Sequence, residues 1–181
     1  MSDLDMLYKY LLSDNVEEYE TEIFELIPEL KREKGFEQKS EWHCFDVWNH
    51  TLATIDYCDK NQDDRLVLLL HDMGKPFHYQ DDGEIRHFKD HAAVSSKISK
   101  KVLERLNYPK DKMEFTLKLI EMHSTKIVVD SINKDDLLFY LKLVKIQICD
   151  AHGYEKKNTL MVMDQLKNTE NKIKKLCNNM I

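Results

Sequence analysis

The chain has 181 residues, a length that suits one domain with a sizeable core. With only four glycines and three prolines beside 33% charged and 42% hydrophobic residues, it lacks the turn-forming residues of a β-sandwich. The net charge of −6 at pH 7 excludes a uniformly basic nucleic-acid-binding protein, and we expect no DNA partner.

The sequence predicts a cytoplasmic protein without a membrane partner. The residues after Met1 show neither the basic nor the apolar region of a secretory signal. No apolar stretch approaches the ~20 residues that cross a bilayer. The four cysteines are scattered without a Cys-x-x-Cys spacing, so we interpret them as reduced thiols. The oligomeric state stays open at this stage.

Hydrophobic residues at helical spacing predict two helices before residue 41. Leu4, Leu7 and Leu11 mark a short first helix that ends near Asn15. A second helix is expected from about residue 16 to 31, with Pro28 disturbing its last turn. Residues 31–41 are polar and predicted to form a loop.

The rest of the chain predicts further helices separated by short breaks. Asp46 and Asp90 are expected to act as N-caps, and Gly74 as a helix stop signal. Residues 76–88 contain Pro76 and Gly83 and are predicted to form a loop or a small irregular excursion. The helices are predicted over residues 46–58, 61–73, 90–106, 111–122, 134–150 and 154–177.

We therefore predict an all-α fold, a single compact multi-helix bundle. We expect residues 1–181 to form one domain. Residues 1–40 would supply N-terminal helices, residues 41–152 the core that carries the motifs, and residues 153–181 a C-terminal helix.

The adjacent pair His71-Asp72 follows the apolar run from Leu66 to Leu70 and is the strongest chemical signal in the chain. If that helix end is buried, an unpaired carboxylate there is costly. Imidazole and carboxylate ligands without thiolate suit Mn, Fe, Co, Ni or Zn, and suit Mg less well. Further potential ligands lie at or near predicted helix ends. They are His50, His91, His123 and Asp150.

Six residues of these types can form one or two metal sites. His50, His71, Asp72 and Asp150 suffice for one six-coordinate ion with two open positions. A bridging Asp72 could also touch a second ion held by His91 and His123. Two ions about 3.5–4 Å apart suit hydrolysis of a phosphoester.

Lys75 follows the pair by three residues and could hold a substrate phosphate. Arg86 and Lys89 are weaker candidates for that role. Each residue also has a structural interpretation: a lone histidine near a helix end is more often structural than a ligand, and Lys75 could simply balance a helix dipole. Asp150 could likewise only cap the next helix. Four histidines stay without a role: His43, His78, His87 and His152.

The order of these residues resembles the HD superfamily of metal-dependent phosphohydrolases, whose pattern is a His, then His-Asp, then a distant Asp. The sequences Pro28-Glu29-Leu30 and Asp46-Val47-Trp48-Asn49-His50-Thr51-Leu52 are also similar to the segment leading into the HD domain of bacterial CCA-adding enzymes and poly(A) polymerases. The likeness covers about residues 25–152. No nucleotidyltransferase domain precedes it in this sequence, so we expect no nucleotide addition to tRNA.

The resemblance implies His50, His71, Asp72 and Asp150 as metal ligands. It implies His91 and His123 as ligands of a second metal or as substrate contacts. Lys75 matches a lysine that often follows the family's His-Asp, and with Asp72 it is the expected catalytic residue. His43 matches a recurrent position without a known role.

By the same resemblance, the chain is expected to be a phosphatase or phosphodiesterase that uses metal-activated water. Its substrate would be a nucleotide, a cyclic nucleotide or an RNA-end phosphoester. The alternative is a non-catalytic HD module that binds a nucleotide or an RNA end. A purely structural helical domain is the third possibility.

Overall fold

The computed structural model describes residues 1–178, which form eight α-helices and one short β-hairpin. The helices are α1 (Asp3–Leu11), α2 (Glu20–Leu26), α3 (Val47–Tyr57), α4 (Gln62–Leu70), α5 (His91–Arg105), α6 (Lys110–Met122), α7 (Leu137–Ala151) and α8 (Lys156–Asn178). The antiparallel strands β1 (Gln80–Asp81) and β2 (Arg86–His87) form the hairpin. The all-α prediction is confirmed. Residues 179–181, at the end of the expected C-terminal segment, lie outside the described residues.

Side-chain caps explain where several helices begin. Asp46 accepts a hydrogen bond from the Asn49 N–H at 2.7 Å, as the sequence predicts for the start of α3. Asn61 accepts one from the Asp64 N–H at 3.0 Å at the start of α4. Each cap satisfies a backbone donor that has no partner within its own helix.

The centre of the bundle is α4. From Leu66 to Leu70 no residue is more than 2% exposed, so this helix is buried on every side. It packs against α1, α3, α5, α6 and α7. Because α4 ends inside the bundle, the two residues that follow it, His71 and Asp72, are delivered into the interior.

The predicted second helix is broken into three pieces, so the expectation of one continuous helix is wrong. A 3₁₀ turn over Val16–Tyr19 precedes α2, and a second 3₁₀ turn covers Pro28–Arg32. Ile27, between α2 and Pro28, has φ −130° and ψ 77°. A residue that precedes proline avoids the helical conformation, and proline itself suits the first position of a new turn.

Gly74 is required by a close approach between α4 and α5. Its φ of −74° is right-handed, and α4 already ends at Leu70, four residues before this glycine. A Cβ at this position would lie 2.2 Å from the His91 carbonyl oxygen and 2.7 Å from the Ser95 nitrogen. The Gly74 N–H also donates to the Ser95 hydroxyl at 2.8 Å. This contact fixes the residues after α4 against the first turns of α5.

Two further expectations about the loop before α5 need correction. Residues 76–88 contain the hairpin, whose two-residue strands are too short to show an alternating pattern in the sequence. Asp90 lies directly before α5 but has φ 61°, and its side chain makes no capping hydrogen bond within the described chain. The side-chain N-cap expected there is wrong.

The long helix α8 packs along α7. Leu137, Val144 and Ile173 form a second, small apolar cluster between them. The start of α8 is fixed to the loop before α3, since the Glu155 N–H donates to the Trp42 carbonyl at 2.8 Å. The loop that carries His43 is thereby held close to the end of α7.

Cys44, Cys58, Cys149 and Cys177 are free thiols, as expected. Among the helices described over residues 1–178, none is long and apolar enough to span a bilayer.

Candidate metal centre

The six predicted ligands lie together where five helices meet. Five of the side chains are buried, and that of His91 is partly exposed at 14%. The six residues are His50 in the first turns of α3, His71 and Asp72 after α4, His91 at the start of α5, His123 after α6 and Asp150 near the end of α7.

One group of ligand atoms surrounds Oδ2 of Asp72. Nε2 of His71 lies 3.2 Å from this oxygen, and Nε2 of His50 lies 3.4 Å from it. Oδ1 of Asp150 lies 3.0 Å from the His50 nitrogen and 3.4 Å from the His71 nitrogen. Two imidazoles and two carboxylates therefore face one point.

A second group surrounds the other oxygen of Asp72. Nε2 of His91 lies 3.3 Å and Nε2 of His123 lies 3.6 Å from Oδ1. The two imidazole nitrogens are 3.2 Å apart. Asp72 thus stands between two pairs of histidines, with one carboxylate oxygen toward each pair.

Each of the four histidines is oriented by a backbone carbonyl. The Nδ1 atoms lie 2.6–3.0 Å from carbonyl oxygens, which can only accept a hydrogen bond, so Nδ1 carries the proton. This leaves the Nε2 atoms, which face Asp72, available to bind a metal. Such backbone acceptors commonly orient metal-binding histidines in proteins. The acceptors are Gly153 for His50, Leu68 for His71, Phe88 for His91 and Ile120 for His123.

These residues fit a divalent metal ion. Both carboxylate oxygens of Asp72 are buried without a hydrogen-bond partner among the described residues. The Lys75 ammonium is 2.6 Å from Oδ2 but lacks the geometry of a hydrogen bond, so we regard that contact as an ion pair. Two ligands each about 2.1 Å from one ion, at an angle of about 90–110°, lie about 3.0–3.4 Å apart. The spacings between ligand atoms run from 3.0 to 3.6 Å, and only the contact between His123 and Asp72 exceeds the expected range, by about 0.2 Å.

The charges in the cluster balance each other. Burial would raise the pKa of Asp72, but the positive charges of His71 and Lys75 hold it well below its usual range. Burial opposes a charge on His71, yet Asp72 and Asp150 raise the pKa of this imidazole to about 10. In the metal-free protein His71 is therefore protonated, and its positive charge helps to balance the two carboxylates.

Lys75 points inward and does not serve as a solvated charge at a helix end. It is 5% exposed, and its ammonium donates to Oε1 of Gln38 at 2.7 Å while pairing with Asp72. The other two predicted cations lie elsewhere. Arg86 binds Asp81 at 2.8 Å in the hairpin, and Lys89 is exposed. Neither lines the cavity next to the ligands, and their role as weaker candidates for holding a phosphate stays a prediction.

A cavity of about 140 Å³ opens beside the ligands. Burial and the charge of Lys75 lower the pKa of His43 to about 3, so this imidazole is neutral. The Tyr154 hydroxyl donates to Oδ2 of Asp150 at 3.1 Å and leaves Oδ1 facing the histidines. The residues around the cavity are His43, Asp72, Lys75, Phe88, His91, His123, Ser124, Asp150 and Tyr154.

Sequence reasoning missed several residues that support the cluster. Gly153 accepts from Nδ1 of His50, and a Cβ on Gly153 would lie 2.2 Å from that nitrogen. Glu33 is fully buried, and burial together with the charge of Asp72 raises its pKa to about 8. Of these residues, only Gly153 could have been suspected from the sequence, because it is a glycine three residues after Asp150. Glu33 and Tyr154 carry no such signal, because they reach the site only through the fold.

Three histidines, His78, His87 and His152, lie away from the cluster. His152 stacks on Tyr57 at the surface, and its Nδ1 donates to the Ile148 carbonyl at 2.9 Å. His87 is exposed near Asp82, and His78 is exposed. Among the four histidines left without a role, only His43 lines the cavity.

Comparison with known proteins gives two matches. The sequence profile of the HD domain matches residues 43–167, which is well over half of the chain. A curated relative, the CC-adding tRNA nucleotidyltransferase of Thermus thermophilus, is 30% identical over 108 residues. The match covers 56% of this chain and 25% of the relative, so the chain spans only about a quarter of that protein's length.

Proposed function

We propose, on the premise that this chain belongs to the HD domain family, that it is a metal-dependent phosphohydrolase. Its substrate would be a nucleotide, a cyclic nucleotide or an RNA-end phosphoester. The observation that carries the proposal is the buried carboxylate of Asp72. Neither of its oxygens has a hydrogen-bond partner within residues 1–178, and each faces a different pair of imidazole nitrogens. A buried charge of this kind requires a paired cation, and the donor set suits a transition metal.

His50, His71, Asp72 and Asp150 would hold one ion, and His91 and His123 would hold a second together with Asp72. A divalent transition metal bound there would supply Lewis acidity toward a phosphoryl oxygen and lower the pKa of water. Mn, Fe, Co, Ni and Zn all fit nitrogen and carboxylate donors.

The protein's own residues would bind and orient the phosphoester. The Lys75 ammonium has three N–H donors, of which one binds Gln38 while the charge pairs with Asp72, so another N–H can reach a phosphate oxygen in the cavity. Neutral His43 has a buried Nδ1 without a hydrogen-bond partner among the described residues. That atom is available for a hydrogen bond with the substrate.

Two observations support a phosphoester of a nucleotide or RNA end. The cavity of about 140 Å³ beside Lys75 can take a phosphate group but not a whole nucleotide. The substituent on the phosphate must therefore extend beyond it. The relative from Thermus thermophilus is named for nucleotidyl transfer to tRNA, which makes a nucleotide or an RNA end the first substrates to test.

A second candidate function is a non-catalytic module that holds a nucleotide or an RNA end. The same relative favours it, since the matched region is a quarter of an enzyme that is named for nucleotidyl transfer and not for hydrolysis. The cavity beside the six candidate ligands favours the hydrolase, because a module that only binds has no need for two pairs of metal ligands.

The test is elemental analysis of natively purified protein followed by a substrate screen. Protein loaded with Mn, Co or Ni is incubated with nucleoside monophosphates, 2′,3′-cyclic nucleotides and RNA carrying a terminal phosphate. We expect hydrolysis of at least one class, and its loss in His71→Ala. Metal-loaded protein that is inert to the whole panel, or a His71→Ala variant with full activity, would contradict the proposal. Tight nucleotide binding without turnover would favour the second candidate.

A further inference from the structure

A second cavity, of about 230 Å³, adjoins the metal centre. It shares four lining residues with the smaller cavity, namely His123, Ser124, Asp150 and Tyr154. A molecule whose phosphate lies beside Lys75 can therefore extend its other end into this second space.

One face of α8 forms a wall of this second cavity. Val162, Gln165, Leu166 and Thr169 follow the spacing i, i+3, i+4, i+7, which places them on one stripe of the helix. Ile127, from the segment between α6 and α7, also lines the cavity. The apolar side chains of Ile127, Val162 and Leu166 therefore offer a surface against which a flat apolar group can pack.

Gln147 on α7 contributes a buried polar group to the same cavity. It is 8% exposed, and its Nε2 donates to the Thr125 carbonyl at 2.8 Å. Because a carbonyl can only accept, the amide orientation is fixed with Oε1 as its free end. Within residues 1–178 no donor is bonded to that oxygen. This oxygen is accessible from the cavity that Gln147 lines, so a donor on a ligand there can reach it.

We propose that this second cavity is a nucleoside subsite, and that Gln147 is its specificity-determining residue, accepting a hydrogen bond from an N–H group on the edge of the base. Gln165 supplies a second amide from α8. This inference rests on the proposed function, because it assumes that the phosphate of the same ligand lies at the metal centre.

The lining favours a base over a second anionic group. Lys126 is the single cation among the lining residues that the structure describes, so the cavity lacks the cluster of positive charge that another phosphate would need. Neutral amides and hydroxyls beside aliphatic side chains suit a planar heterocycle with polar edges and apolar faces.

The test measures binding of free nucleosides, which carry no phosphate, to the purified full chain by calorimetry. Adenosine, guanosine, cytidine and uridine are compared. We expect at least one to bind, and Gln147→Leu to weaken it by about threefold to tenfold, the effect of losing one hydrogen bond. Gln165→Ala, at the exposed surface of α8, should weaken binding in the same direction. Asn168→Ala, an exposed amide of the same helix that does not line the cavity, is the matched control.

Absence of binding for all four nucleosides would overturn the inference, and so would equal binding by the wild type, Gln147→Leu and Gln165→Ala. Because Gln147 is buried, Gln165→Ala keeps the test valid if Gln147→Leu fails to fold. The two proposals fail separately. A protein that hydrolyses nucleotides without changing its base preference in these variants would overturn only the subsite. A protein that binds nucleosides through both glutamines but hydrolyses nothing would overturn only the hydrolase.

Discussion

Asp72 is the residue on which the candidate centre depends, because both of its oxygens face ligand pairs. Asp72→Asn keeps the shape of the side chain but removes the charge and one acceptor. We expect metal content to fall by at least about tenfold, which is the range seen when even indirect supports of a metal site are lost. Elemental analysis after native purification gives the measurement. Asp130→Asn, at an exposed position, is the control and should keep its metal. Undiminished metal content in Asp72→Asn would contradict a bridging role.

The pKa of Glu33, which senses the charge of Asp72, can be tested through the pH dependence of the free energy of unfolding. Its pKa is raised to about 8 by burial and by Asp72, whereas an unfolded glutamate titrates near 4.5. The folded state therefore holds this proton over a range in which the unfolded state has lost it, and stability falls as pH rises from about 4.5 to 8. We expect Glu33→Gln to remove that loss.

Urea unfolding at pH 5 and pH 8, in chelator, measures the effect. Each unit of raised pKa corresponds to about 1.4 kcal/mol, so the gain of Glu33→Gln over wild type should be larger at pH 8 by about 2 kcal/mol or more. A gain that is equal at both values would mean that Glu33 is already ionised in the folded protein.

Among individual residues, the candidate ligands could be predicted from the sequence, but the residues that support them could not. His50, His71, Asp72, His91, His123 and Asp150 stand in an order along the chain that drew attention to them. Glu33 and Tyr154 reach the site only because separate elements bring them there, and no local pattern records such contacts. The structure brings the six predicted ligands together, and their role as metal ligands stays a prediction.

At the scale of helices, Gly74 after α4 packs against the start of α5. This contact places Asp72 beside His91. Gly74 has a backbone conformation that alanine adopts readily, so Gly74→Ala would stabilise the protein by about 0.4–1 kcal/mol if space allowed. A Cβ would instead meet backbone atoms of α5 at 2.2–2.7 Å. We therefore expect a destabilisation of about 1–3 kcal/mol, measured by urea unfolding. A stabilised variant would show that α4 and α5 are not in this contact.

Helices were predictable wherever an apolar pattern and a cap agreed. Asp46 caps α3 as predicted, and Asn61 caps α4. The pattern failed at Ile27, where Pro28 overrides a periodicity that continues through it. It also failed at the hairpin, whose strands of two residues carry no period. Short elements are determined by tertiary contacts, such as Lys39 with Asp81 at 3.1 Å, which a local pattern does not contain.

For the whole molecule, a metal at the junction of five helices would couple binding to stability. Removing it leaves Asp72 and Asp150 buried with only protonated His71 and Lys75 to balance them. An ion present at a hundredfold excess over its dissociation constant stabilises the fold by about 2.7 kcal/mol. For a chain of this size we expect a chelator to lower Tm by about 5–10 °C. Calorimetry checks this, and Asp72→Asn should show little further change. An unaltered Tm of the metal-loaded wild type would mean that the ion does not bind this junction.

The bundle as a whole followed from composition and periodicity, but the convergence of helix ends did not. Few breakers and long apolar stripes predict packed helices without stating which ends meet. The buried helix α4 provides the reason, since it contacts five other helices and ends in the interior. The ligands then gather around the residues that follow it.

Anomalous diffraction from a crystal of the Mn-loaded protein is the most direct test of the central claim. We predict an anomalous peak in contact with Asp72, between His50, His71 and Asp150, and a second peak toward His91 and His123 if two ions bind. A crystal grown at saturating metal with no peak beside Asp72 would contradict the account.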